Sequence, residues 1–243
     1  MEKRYLLSVK PLLMDEKLLC RACEKLDTER KKKVQRIKAR EAKAQSVGAG
    51  LLLQYVVQKI GGRDYMVQDK CVFGKHTSVE CACGEPESVL QPCLEEFNIE
   101  ELLKELQSPV ETDYTYGRLG KPYIKNLPWY FSMSHSGEYV FCAVSDEEIG
   151  ADIQMCKPLK NHHLEKRYFT EREQQLLEWK TEEERQKIFY RLWTKKEAYG
   201  KLTGDGIGDA VGLDTQELSE SVLWEEWYLK KGYSITVCRY RKE

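Results

Sequence analysis

The stretch Trp193-Thr194-Lys195-Lys196-Glu197-Ala198-Tyr199-Gly200-Lys201 lies within a helical pattern that runs from Ile188 to Leu202 and ends at Gly204. On a helix, Trp193, Glu197 and Lys201 are spaced four residues apart and share one face. Glu197 and Lys201 could form a surface ion pair worth about 0.3–0.5 kcal/mol. Alternatively, Glu197 binds a metal or accepts a proton, and Lys201 reaches a phosphate. The spacing alone leaves both interpretations open.

The segment Ile149-Gly150-Ala151-Asp152-Ile153-Gln154 is predicted to be a strand. Side chains alternate along a strand, so Ala151 and Ile153 face the core while Asp152 and Gln154 share the other face. A carboxylate beside a second oxygen ligand is a starting point for a hard-cation site. The alternative is a solvent-facing aspartate on an edge strand.

A hairpin is predicted around Ser134-His135-Ser136-Gly137, because aromatic and β-branched residues flank this turn at Trp129–Met133 and Tyr139–Ser145. A histidine between small hydroxyl residues in a turn is suited to donate a hydrogen bond to an anion. Equally, it could be a hairpin histidine bonded only to water.

Two further segments are rich in cations. Gly117-Arg118-Leu119-Gly120-Lys121-Pro122 is predicted to be a turn before an extended segment, and it lacks the spacing of a phosphate-binding P-loop. A run of eight Lys and Arg residues between Arg30 and Lys43 begins a helix predicted over Glu29–Ile60, with Gly61-Gly62 after it. Such runs are usually solvated helix faces. Cations at a helix start oppose the helix dipole, which favours an anionic partner.

The remaining elements are predicted from periodicity and capping. They are a strand at Tyr5–Val9, helices at Met14–Leu26 and Thr170–Trp179 (with a Thr170/Glu173 capping box), and strands at Val222–Leu229 and Tyr233–Tyr240. Arg63–Asp113 is interpreted as a loop with one helix, Ile99–Leu106. Its cysteines, Cys71, Cys81, Cys83 and Cys93, lack the paired Cys-x2-Cys zinc spacing. The order strand, helices, strands occurs twice, which suggests two similar α+β halves.

Composition excludes several classes of protein. The 243 residues carry a net charge of −1, which argues against a general nucleic-acid binder. Hydrophobic residues make up 41% of the chain, enough for a core. No apolar run approaches the length of a membrane span, and Met1–Lys17 resembles neither a signal peptide nor an anchor. The nine cysteines are therefore expected to be reduced, and the protein to be cytoplasmic.

The order of the motifs resembles the 4′-phosphopantetheinyl transferases of the surfactin-synthetase-activating (Sfp) type. The motifs are Gly120-Lys121-Pro122, Ser134-His135-Ser136, Gly150-x-Asp152-Ile153, Phe169-Thr170-x2-Glu173 and Trp193-Thr194-x-Lys196-Glu197-Ala198-x2-Lys201. The resemblance covers about Leu26 to Gly206. It implies a mixed α/β (α+β) fold of two similar subdomains about a pseudo-twofold axis, acting as a monomer. We expect the halves to be 1–147, with the basic helix, the cysteine-bearing stretch and the Ser-His hairpin, and 148–243, with the metal-binding acids.

The resemblance also implies a reaction. The phosphopantetheine arm of coenzyme A passes to a serine of an apo acyl, peptidyl or aryl carrier protein, with Mg²⁺, and 3′,5′-ADP leaves. Asp152 and Glu197 match the metal-binding acids, and Glu197 or a metal-bound water would accept the serine proton. The residues that match coenzyme A contacts are Lys201 (the phosphates), Ser134 and His135 (the phosphates and adenosine), Lys121 with Pro122 (the adenine), and Lys31 or Lys32 (the 3′-phosphate).

One position departs from the family pattern. Gly-x-Asp is often followed by x-Glu, and here that residue is Gln154, a poorer Mg²⁺ ligand. We expect an active enzyme with two carboxylate ligands and a raised Mg²⁺ requirement. The alternatives are a non-catalytic coenzyme A-binding module, an unrelated coenzyme A-dependent acyltransferase, and a metal-thiolate scaffold at Cys81 and Cys83. The stretch Asp69–Ser108 departs from compact family members and is interpreted as a surface insertion, with a lid or a carrier contact as alternatives.

Overall fold

Two β-sheets, each covered by one long helix, organise the chain. The computed structural model describes residues 2–60, 75–76, 80–81, 94–125, 127–159 and 163–242, with backbone only at 75–76, 80–81 and 209. The helices are α1 (Lys10–Met14), α2 (Glu16–Glu24), α3 (Thr28–Arg36), α4 (Arg40–Ile60), α5 (Ile99–Glu105), α6 (His163–Tyr168), α7 (Glu171–Gln175) and α8 (Glu182–Thr203). The strands are β1 (Glu2–Ser8), β2 (Lys75–His76), β3 (Glu80–Cys81), β4 (Leu94–Phe97), β5 (Tyr114–Tyr116), β6 (Pro122–Ile124), β7 (Tyr130–Ser136), β8 (Tyr139–Ser145), β9 (Ile149–Met155), β10 (Val222–Leu229) and β11 (Tyr233–Tyr240).

The two sheets repeat one connection pattern. The first has the strand order β2-β4-β1-β8-β7 and the second β3-β10-β11-β9, while β5 and β6 form a separate hairpin. In each, a strand (β1 or β9) leads through short helices and one long helix (α4 or α8) to a hairpin, whose second strand pairs with that first strand. The mixed α/β class is therefore confirmed. The repeat supports the predicted division near Glu147, which stays a prediction.

Strand β8 lies between two hydrophobic clusters. Val140 and Val144 belong to the cluster beneath α4, whereas Phe141 belongs to the cluster shared by both sheets. The shared cluster also contains Ala151 and Ile153, as their alternation predicts. Burial of β9 between the first sheet and α8 consequently fixes which face each β9 residue presents.

Several predicted elements differ in extent from the structure. The helix predicted over Glu29–Ile60 is two helices, α3 and α4, because Ile37 is extended (φ −82°, ψ 120°). Unbroken, it would be about 48 Å long, whereas the break lets α4 lie across its sheet. The helix predicted over Met14–Leu26 begins at Glu16, capped by Asp15, and ends at Glu24.

Three further differences have local causes. The capping box at Thr170 and Glu173 is present, but α7 lasts only to Gln175 and a turn follows. Helix α8 begins at Glu182, earlier than Ile188, because Thr181 supplies a second capping box, and it ends at Gly204 as predicted. The hairpin turn lies at 137–138, where Gly137 has φ +52°. Positions 134–136 therefore belong to strand β7 and not to the turn.

The prediction of a loop with one helix over Arg63–Asp113 is partly wrong. Helix α5 is present, but β4 precedes it and pairs in parallel with β1. Two short backbone segments of the same stretch pair with β4 and β10. Gly61, Gly62, Cys71, Cys83 and Cys93 lie outside the described residues, as does the side chain of Cys81. Across the described ranges, no helix is long and apolar enough to cross a membrane.

Candidate active site

Asp152 is buried at the place where β9 meets β7 and α8. Its side-chain oxygens accept hydrogen bonds from Ser134 Oγ (2.6 Å), Gln154 Nε2 (3.0 Å) and Lys201 Nζ (2.7 Å). Only 1% of Asp152 is exposed, so the alternative of a solvent-facing aspartate is wrong. A buried carboxylate requires such partners to remain charged. One aspartate therefore joins a strand of the first sheet to a helix on the second.

Gly150 permits helix α8 to lie directly on β9. A Cβ at this position would sit 2.0 Å from the carbonyl oxygen of Ala198. Gly200 permits a similar approach on α8 itself, where a Cβ would sit 2.3 Å from the carbonyl carbon of Gly206. The close approach at Gly150 brings Glu197 and Lys201 over Asp152.

Glu197 and Lys201 share one face of α8, but they are not simply a surface pair. The ion pair that the structure shows runs from Lys201 Nζ to Asp152 Oδ1. Burial and the nearby Asp152 carboxylate raise the pKa of Glu197. Among the described residues, Glu197 makes no hydrogen bond or ion pair. Glu197 is thus a half-buried carboxylate beside Asp152, whose own charge is already paired with Lys201.

This pair of carboxylates fits a divalent cation. Oxygen ligands are those that Mg²⁺ prefers, and a cation would offset the repulsion that raises the pKa of Glu197. The amide nitrogen of Gln154 donates a hydrogen bond to Asp152, so the amide oxygen remains available as a third possible ligand. In the described part of the chain, no three His, Cys, Asp or Glu side chains gather at one point. A metal here would depend on Asp152, Glu197 and water, with Gln154 as a neutral neighbour.

His135 stands on β7 and not in the hairpin turn. It is exposed, and it lies on the opposite side of the strand from Ser134 and Ser136. Crowding by protein atoms, followed by the charges of Lys201 and Lys33, lowers its pKa, so the imidazole is neutral near pH 7. An imidazole on which the charges of two lysines act suits the recognition of an anion such as phosphate.

Of the three consecutive lysines of α3, the structure brings Lys33 to the site. Lys33 acts electrostatically on His135, whereas Lys31 acts on Cys23 on the side of α2. Lys32 is exposed. Lys31 and Lys32 are the lysines that the resemblance implies, and their role in binding stays untested. No signal in the sequence separates Lys33 from its two neighbours: Lys33 shares a face with Arg30, and only the structure shows that Arg30 packs against α4 at Gly50.

Asp27 fixes the start of α3. Its side chain caps Arg30 N at 2.8 Å and accepts a bond from the Tyr114 hydroxyl at 3.0 Å. Burial and the neighbouring Asp27 charge raise the pKa of Tyr114. The β5–β6 hairpin consequently contacts the basic helix at its N-terminus.

The same hairpin reaches across to α8. Lys121 Nζ pairs with Glu148 at 2.5 Å and donates to the Leu202 carbonyl at 3.1 Å. At the tip, Arg118 pairs with Asp205. The Lys121 ammonium is therefore bonded within the protein, and Lys121 and Pro122 also line the neighbouring cleft.

That cleft has a volume of about 240 Å³. Its walls come from the hairpin turn, β7 and the C-terminal end of α8: Leu119, Gly120, Lys121, Pro122, Phe131, Ser132, Met133, Gly200, Lys201, Gly204 and Gly206. Lys201 lines the cleft and also contacts Asp152. The cleft and the carboxylate pair are thus two parts of one site.

Lys196 and Glu173 form a fully buried ion pair that sequence reasoning missed. The nitrogen–oxygen distance is 2.9 Å, and the side chains are 0% and 1% exposed. Lys196 also donates to the carbonyls of Ala210 and Leu213, and Glu173 accepts from Thr215 N. The capping box at Thr170 was the signal available in the sequence, since its Glu173 is the partner of Lys196.

Comparison with known proteins points to one family. Residues 148–238 match the model of the 4′-phosphopantetheinyl transferase superfamily. This match contains Asp152, Gln154, Glu197 and Lys201, and it confirms the resemblance over that part of the chain; the motifs at 120–122 and 134–136 lie outside it.

Individual relatives carry the same name. The chain is 40% identical over 133 residues to the 4′-phosphopantetheinyl transferase Sfp of Bacillus subtilis (strain 168), which is 49% of this chain and 59% of that protein. It is 39% identical over 102 residues to psf-1 of Bacillus pumilus (42% and 43%), and 40% identical over 105 residues to HetI of Nostoc sp. (strain PCC 7120) (41% and 44%). The chain spans about half the length of the curated relatives it matches.

Proposed function

We propose that this chain is a 4′-phosphopantetheinyl transferase that loads an apo carrier protein from coenzyme A. The observation that supports this most is the junction of Ser134, Asp152 and Lys201, which joins a carboxylate site to the cleft beside Lys121 and Pro122. A pyrophosphate needs cations and a metal-binding carboxylate in one place, and this junction supplies both. The superfamily match over 148–238 supports the same assignment.

In the proposed reaction, the serine hydroxyl of the carrier attacks the phosphorus atom that bears the pantetheine arm. A phosphorus–oxygen bond forms to the serine, and the bond to 3′,5′-ADP breaks. Mg²⁺ bound by Asp152 and Glu197 would neutralise the pyrophosphate and the leaving phosphate. Lys201 would move its hydrogen bond from Asp152 toward a phosphate oxygen as coenzyme A enters the cleft. His135, with a basic residue of α3, would hold a further phosphate.

Glu197 is the proposed proton acceptor, directly or through water. Its carboxylate is half-buried and, among the described residues, makes no hydrogen bond, so an oxygen atom is available to accept the serine proton. Asp152 is fixed by three hydrogen bonds, and a carboxylate fixed in this way is better suited to hold a metal ion than to accept a proton. The two acids are therefore proposed to differ in role.

The proposal is tested with coenzyme A that carries a fluorophore on its thiol and with apo acyl, peptidyl and aryl carrier proteins. We expect Mg²⁺-dependent fluorescence on the carrier, removed by EDTA, and nearly abolished by Asp152→Asn or Glu197→Gln. Glu183→Gln, on the exposed face of the same helix, is the control and should label at the wild-type rate. Labelling that persists in both site variants would contradict the site. Coenzyme A binding with no labelling of any carrier would favour a binding module.

Gln154 gives a second, narrower test. We expect Gln154→Glu to lower the Mg²⁺ concentration needed for half-maximal labelling, because a carboxylate is a better ligand than an amide. An unchanged requirement, already met at trace Mg²⁺ in the wild type, would refute the idea of a weakened site.

A further inference from the structure

Strands β7 and β9 are the edge strands of different sheets, and serine side chains join them. The serines occupy alternate positions on β7 and so point to one face, toward β9. The three bonds are Ala151 N–H to Ser132 Oγ (2.9 Å), Ser134 Oγ–H to Asp152 Oδ1 (2.6 Å), and Met155 N–H to Ser136 Oγ (3.0 Å). We call this row the serine seam.

The seam takes the place of a backbone ladder. β7 pairs with β8, and β9 pairs with β11 on its other side. Ala151 is fully buried, so its N–H needs a partner within the protein. The hydroxyl of Ser132 is that partner, and this serine is itself only 5% exposed. The seam is thus a specific connection and not incidental surface contact.

The seam lies next to His135 on β7 and Asp152 on β9, two residues of the proposed site that belong to different sheets. His135 lies between Ser134 and Ser136, and Asp152 lies next to Ala151. We propose that Ser132 and Ser136 are positioning residues that set the distance from His135 to Asp152, a role that rests on the proposed function. Ser134 belongs to the site itself, because it donates to Asp152.

The test compares three variants of the full chain. Ser136→Ala removes a half-buried hydroxyl from the seam, and Ser136→Thr retains it. Ser145→Ala is the matched control: Ser145 is buried on β8, and its Oγ accepts the backbone N–H of Glu147 at 3.2 Å, a bond that is not part of the seam. Carrier loading gives kcat and the KM for coenzyme A, and amide hydrogen exchange reports on Met155 N–H directly.

We expect Ser136→Ala to lower kcat about tenfold with KM within about twofold, since small displacements of reacting groups cost rate more than binding. Ser136→Thr should have most of the wild-type kcat. Ser145→Ala should have the wild-type kcat even if its melting temperature falls as much as that of Ser136→Ala. Exchange at Met155 should accelerate about tenfold in Ser136→Ala alone.

Two results would overturn the proposal. One is an equal fall in kcat for Ser136→Ala and Ser145→Ala, which would make the effect purely structural. The other is an unchanged rate of amide exchange at Met155 in Ser136→Ala, which would show that Ser136 does not bond the Met155 N–H. A wild-type chain that loads no carrier would overturn the proposed function instead, and the exchange measurement would still decide whether the seam holds β9.

Discussion

Removing one partner of the buried Lys196–Glu173 pair should strongly destabilise the protein. Lys196→Met keeps the length of the side chain but takes away the ammonium that bonds Glu173 at 2.9 Å and the carbonyls of Ala210 and Leu213 at 3.1 and 2.7 Å. The remaining carboxylate is only 1% exposed. Breaking a buried pair in this way costs about 3–5 kcal/mol, because a charge is left without compensation.

The double variant Glu173→Gln/Lys196→Met separates charge from packing. Once both charges are gone, no buried charge is left unpaired, and uncharged replacements of similar volume are often tolerated. We therefore expect the double variant to be more stable than the sum of the two single variants predicts. The amide introduced by Glu173→Gln would still offer an oxygen to Thr215 N, which Glu173 bonds at 3.0 Å.

Urea unfolding, followed by tryptophan fluorescence, gives the free energy of unfolding for each variant. Lys187→Met is the control, because Lys187 pairs with Glu183 on the exposed face of the same helix. Its midpoint should hardly move. A cost for Lys196→Met below about 1 kcal/mol, or single-variant costs that simply add in the double variant, would show that the two buried charges do not depend on each other.

The site itself supports three more predictions. Glu197→Gln should raise the urea midpoint at pH 7 without Mg²⁺. The folded protein raises the pKa of Glu197, so the free energy of unfolding falls as the pH rises from the pKa of the unfolded chain through that of the folded protein, and the variant lacks this loss. A lower midpoint for the variant would contradict this. The pKa of His135, followed by NMR, should lie below its ordinary value of 6.5, and Lys201→Ala should raise it, because Lys201 lowers the pKa of His135; no rise would exclude this electrostatic contact. Gly150→Ala should lower both stability and loading, since the new Cβ would lie 2.0 Å from the Ala198 oxygen, and wild-type behaviour would show that α8 does not approach so closely.

Local sequence signals predicted the elements that carry the chemistry. The capping box at Thr170, the stop at Gly204 and the alternation around Asp152 are each set by neighbours within a few residues, and each is confirmed. Helix α5 was found in the same way, from its own periodicity. Such features can be predicted from the sequence because they depend on neighbouring residues and little on contacts between distant segments.

Contacts between distant segments could not be predicted. Strand β4 is four residues long and is defined by its parallel pairing with β1, at the other end of the first half of the chain. The partner of Lys201 is Asp152 on another element, not Glu197 one helical turn away. The charge that acts on His135 is that of Lys33, and this depends on how α3 packs against α4, with Arg30 beside Gly50. Each of these outcomes is decided by tertiary packing.

Intact-protein mass spectrometry of an apo carrier protein, after incubation with this chain, coenzyme A and Mg²⁺, decides whether the phosphopantetheine arm is transferred. We expect a gain of one phosphopantetheine arm on the carrier, absent with EDTA and absent when the acceptor serine of the carrier is replaced by alanine. An acyl-sized gain that requires acyl-coenzyme A, or no gain on any carrier class although coenzyme A binds, would contradict it.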